Sequence, residues 1–91
     1  MSKVKKQKLP KWFNGTVYDE GAVVTNMFSG AEYELNNIEL SMYDFIMGSQ
    51  MVFEMLYKMR KFPSTTQLEE FHNGLNWFRV NNPDAYYVLL D

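Results

Sequence analysis

Between Met42 and Lys61 apolar side chains take up so much of a helical circumference that no single neighbouring element can hide them. Phe45, Ile46, Val52, Phe53, Leu56 and Tyr57 share the segment with Met42, Met47, Met51, Met55 and Met59, five of the chain's seven methionines. Gln50, Glu54, Lys58 and Lys61 leave only a narrow polar stripe. Ser41 and Asp44 stand at capping-box spacing before the run and Pro63 closes it, so the pattern predicts a helix over about 42–61. Glu54 and Lys58 are four apart in the favourable order. Gly48 weakens such a helix by about 1 kcal/mol relative to alanine, which points to close packing there. Two coverings fit so wide an arc. One is burial between a sheet and a second helix of the same chain. The other is contact with another molecule along Met47, Met51, Met55 and Met59, where flexible thioethers suit an irregular partner.

The segments on either side supply the other elements. Asn14-Gly15 and Asp19-Glu20-Gly21 are turn sequences with the β-rich Thr16-Val17-Tyr18 between them. Ala22–Asn26 and Ala31–Leu35 flank Phe28-Ser29-Gly30, and residues 31–35 alternate apolar and acidic, the period of a half-buried strand. These two runs predict a hairpin. Beyond Pro63, Leu68, Phe71, Leu75 and Phe78 recur at +3, +4 and +3, a helix stripe starting near Ser64–Thr66, with Thr66 and Glu69 at capping-box spacing. Asn82-Pro83-Asp84 suits the start of a short final helix, against which the aromatic and aliphatic run 86–90 offers a strand. The expected architecture is α+β: a small antiparallel β-meander of two or three strands, then two main α-helices and a short C-terminal helix. Val24, Tyr33 and Leu35 are expected to face the first helix, and Leu68, Phe71, Leu75 and Phe78 to complete the core.

Ninety-one residues, 46% of them hydrophobic, suffice for one core and not for two. With no cysteine, disulfides and thiolate metal sites are excluded. No run of eighteen apolar residues offers a membrane span, and the basic N-terminus has no apolar segment after it, so a cytoplasmic protein is expected. The net charge of −2 conceals an asymmetry. Lys3, Lys5, Lys6, Lys8 and Lys11 stand in the first eleven residues without an acid, whereas the remainder sets four bases against all eleven acids, a net −7. Residues 1–10 are expected to form a flexible basic tail and 11–91 a single domain.

Catalytic constellations are missing from the pattern. His72 is the only imidazole, with Glu69 alone on its helical face. The five glycines are too scattered for a phosphate loop, and Glu32/Glu34 read as a solvated strand face. No cofactor and no enzymatic activity are expected. Lys11-Trp12-Phe13-Asn14 resembles a stretch of the cold-shock nucleic-acid-binding domain, but Gly15-Thr16-Val17-Tyr18 follows where that family has an aromatic base-stacking strand. An electrostatic arm of Lys3, Lys5, Lys6, Lys8 and Lys11 beside Trp12 and Phe13 is the alternative functional reading, with nucleic acid as partner.

Lys-Trp-Phe-Asn-Gly, Val-Thr-Asn-Met-Phe-Ser-Gly-Ala-Glu-Tyr-Glu-Leu and Glu-Leu-Ser-Met-Tyr-Asp-Phe-Ile-Met-Gly, within residues 11–48, resemble small uncharacterised proteins of T4-like marine cyanophages. The pattern carries proline where Met27 stands. The resemblance implies a phage accessory protein in a bacterial host's cytoplasm and brings no site residue. The expected function is a non-enzymatic interaction module that forms a homo-oligomer, such as a dimer, or binds a host or phage protein.

Overall fold

The computed structural model describes residues 7–90 as a two-stranded antiparallel hairpin followed by three helices, an α+β fold. Strands β1 (Ala22–Thr25) and β2 (Glu32–Leu35) pair Ala22 with Leu35, Val23 with Glu34, Val24 with Tyr33 and Thr25 with Glu32. The register turns Val24, Tyr33 and Leu35 inward, Leu35 fully buried, and leaves Val23 and Glu34 outside. Gly30 takes φ 81° in the connection, and Asn26 stabilises it by accepting from the Phe28 and Ser29 amides. Thr16–Tyr18 forms no third strand. Its backbone is satisfied elsewhere: the Tyr18 amide donates to Ser41 Oγ at 2.9 Å, and the Tyr18 carbonyl accepts from Asn37 Nδ2 at 3.2 Å.

Helix α1 runs from Asn37 to Lys58, five residues earlier at its start than the pattern predicts. The cap is Asn36, not Ser41. Asn36 Oδ1 accepts from the Glu39 amide at 2.8 Å, and Glu39 Oε1 accepts from the Asn36 amide at 3.0 Å. Ser41 instead lies buried inside the helix and donates to the Asn37 carbonyl. At the other end the Lys61 amide reaches the Leu56 carbonyl and the Arg60 amide the Tyr57 carbonyl, a Schellman closure. Arg60 sits there at φ 61°, where glycine is usual.

Helix α2 (Thr65–Asn81) is capped by Ser64 and Gln67 in place of the expected Thr66 and Glu69. Helix α3 (Pro83–Leu89) settles residues 84–89 as helix, with Leu90 at its C-cap: Asn82 Oδ1 accepts from the Ala85 amide, and proline occupies the first turn. The core comprises Leu35, Met42, Ile46, Phe78, Ala85 and Leu89. Phe71 and Leu75 pack against it, while Leu68 lies more than a third exposed, a turn too far from the centre to take part. The hairpin leans on α3 more than on α1, and Asn26 Nδ2 donates to the Val88 carbonyl at 2.9 Å.

Close helix packing occurs at Gly74, not Gly48. A Cβ on Gly74 would meet Met42 Sδ at 3.3 Å and Ile46 at 3.5 Å, whereas one on Gly48 would meet no atom of another described element within 4 Å. Residues 7–10, assigned by composition to a tail, are seated on the body. Gln7 Nε2 donates to Glu39 Oε2 at 2.9 Å, the Lys8 carbonyl accepts from Trp77 Nε1 at 2.9 Å, and Leu9 packs on the core.

Candidate interaction surface

Twenty-two residues make α1 roughly 33 Å long. The hairpin, α3 and the C-terminal half of α2 gather round its first half, where Glu39, Ser41, Met42 and Ile46 are buried. Farther along, only Phe53 is, held by the Phe71 ring at 5.2 Å. The exposed stretch of the helix carries the methionines singled out above. Met47 is half-buried, whereas Met51 is 68% exposed, Met55 58% and Met59, at the C-cap, 55%. Val52 continues the apolar face. Tyr57 and Phe62 meet edge to face, their ring centres 6.2 Å apart, on another side.

Beside this face runs an open cleft of about 430 Å³ between α1 and α2, with Gly48, Phe45 and Val52 along its α1 wall and Glu70 across from them. Asp44 stands at its edge, exposed. Its negative charge is the main reason the Tyr18 phenol is raised above its usual value, with partial desolvation and a hydrogen bond to the same carboxylate adding to it. Lys58 projects from the exposed far end of α1. Among the described residues no three histidine, aspartate or glutamate side chains are grouped to hold a metal. His72 is exposed, its ring 5.6 Å from Phe71.

Of the lysines expected to form a basic arm, Lys8 and Lys11 are exposed, and Lys3, Lys5 and Lys6 lie outside the described residues. Trp12 and Phe13 are not open stacking platforms. Both rings pack on Phe45, at 5.5 and 5.6 Å, and are partly buried.

Sequence reasoning overlooked the polar hub that ties Gln7 to the junction of α2 and α3. Buried Glu39 accepts from Gln7 and from Asn82 Nδ2, the latter at 3.0 Å, as well as from its own cap. Asn36-Asn37 followed by Glu39 is capping-box spacing, and it was the one available signal.

No described helix is long and apolar enough to cross a membrane. Comparison with family models, with curated proteins and with solved structures finds no match.

Proposed function

We propose that this chain is a non-enzymatic interaction module that works through the methionine face of α1, by self-association or by binding a phage or host protein. The observation that carries the reading is the exposure of Met51, Met55 and Met59 on a side of α1 that the described residues leave uncovered. Unbranched thioethers in a row offer apolar area with adaptable shape. The cyanophage-like motifs of residues 11–48 suit an accessory protein acting in the cytoplasm of an infected bacterium.

The test is the double variant Met51→Glu/Met55→Glu, which alters exposed positions and should keep its helical circular dichroism. Wild type is compared with it in sedimentation velocity at rising concentration and in retention of proteins from bacterial lysate. Association or capture that the double variant loses supports the reading. A wild type that stays monomeric and holds nothing the variant fails to hold overturns it.

A further inference from the structure

We infer that the occupant of this face is a second copy of the chain, its α1 packed antiparallel about a two-fold axis passing close to Met51; this rests on the interaction reading above. Asp44, Gly48, Met51, Met55 and Lys58 follow one another at spacings of four, three, four and three, which places them on a single seam of α1. The seam is nearly palindromic in chemistry. An antiparallel copy centred on Met51 sets Lys58 opposite Asp44, Met55 opposite Gly48 and Met51 beside Met51, and the two-fold repeats each pairing.

Two observations select this arrangement, and a third sets its strength. First, Gly48 weakens an exposed helix by about 1 kcal/mol relative to alanine, and no other described element approaches within 4 Å of where its Cβ would stand. A glycine there admits a large side chain from outside, and the cleft beside it gives the Met55 thioether of the partner copy room to settle. Second, the charges match only antiparallel: the Asp44 end of α1 is acidic, with Glu70 across the cleft, and the exposed far end carries Lys58. Parallel copies would align like with like. Third, the exposed parts of Met51, Val52, Met55 and Met59 amount to on the order of 400 Å² per copy, so a pair buries about 800 Å², below the roughly 1,200 Å² at which specific stable interfaces begin. The dimer is therefore reversible.

The full chain is measured by sedimentation equilibrium and light scattering across a wide concentration range. Wild type is expected to show a monomer–dimer equilibrium. Asp44→Lys and Lys58→Asp should each weaken it at least about tenfold, because two pairs turn repulsive per dimer, and the combined exchange should restore it. Gly48→Leu should abolish the dimer while raising the melting temperature of the monomer, a combination that a purely structural glycine would not produce. In a chain without native cysteine, Met51→Cys should form an oxidative cross-link between copies, and Met59→Cys, about 24 Å from its mate in this register, should not. A strictly monomeric wild type overturns the inference, even where lysate capture through the same methionines keeps the interaction reading intact. A dimer indifferent to both charge reversals, or one that cross-links as readily through Met59→Cys, overturns the register and with it the proposal.

Discussion

Glu39 is a buried carboxylate whose two oxygens accept from Gln7, Asn36 and Asn82, joining the N-terminal segment, the cap of α1 and the junction of α2 with α3. Replacing it with alanine strands those donors at a site that water reaches poorly. Glu39→Ala should lower the unfolding free energy by about 2–3 kcal/mol in a urea titration, and a loss below 1 kcal/mol would show that the hub is dispensable. Gly21 is exposed and looks tolerant, yet a Cβ there would run into the Leu35 carbonyl and stand 2.8 Å from Asn36 Cα, both backbone atoms that cannot swing aside. Gly21→Ala should destabilise by about 2 kcal/mol or more, the scale of overpacking against rigid neighbours, although β1 begins only at the next residue. A melting temperature equal to wild type would refute this.

At the scale of elements, the closure of α1 holds stored strain. Arg60 occupies left-handed backbone in a Schellman turn whose other parts are in order, with Pro63 buried shortly after. Arg60→Gly should stabilise by up to about 1 kcal/mol, seen as a higher midpoint in thermal unfolding of dilute protein. If stability falls instead, the guanidinium is making a contact that outweighs the strain. The start of α1 teaches something about legibility. Asn36-Asn37 looks like a break in strand alternation, and it is one; the same asparagine is also the cap, because its side chain and that of Glu39 exchange hydrogen bonds with each other's backbone. Ser41 and Asp44 have the same spacing, so local sequence offered two starts. Burial decided between them. Ser41 lies inward, where its hydroxyl serves the Asn37 carbonyl and the Tyr18 amide.

At the scale of the whole molecule, the chain extends 50 × 32 × 21 Å, with its core toward the first half of α1. Tyr43 lies on that side, partly buried, and desolvation pushes its phenol above the ordinary value of 10.0. The unfolded chain therefore loses this proton first as pH rises. The contribution to stability is complete below pH 10.0, declines above it, and is gone once the raised folded value is passed. Tyr43→Phe should flatten the alkaline limb of a stability–pH curve; an unchanged limb would assign that slope to other groups.

Much was determined by sequence alone, because period and punctuation are local. Alternation over 31–35, the stripe at 68, 71, 75 and 78, and Asn82-Pro83 each specify an element through neighbours a few residues away, and the hairpin and helices follow. The breadth of the apolar arc on α1 was likewise plain from residue order. Which part of that arc stays wet was not, since it depends on how far a short hairpin and two helices reach along a helix longer than they are. The same limit explains the two helical glycines. Both break a helical run equally, but Gly74 faces Met42 and Ile46 across the α1–α2 crossing while Gly48 faces open space. Only the tertiary arrangement could distinguish them, because contact with a helix distant in the chain leaves no periodic trace around the residue it touches.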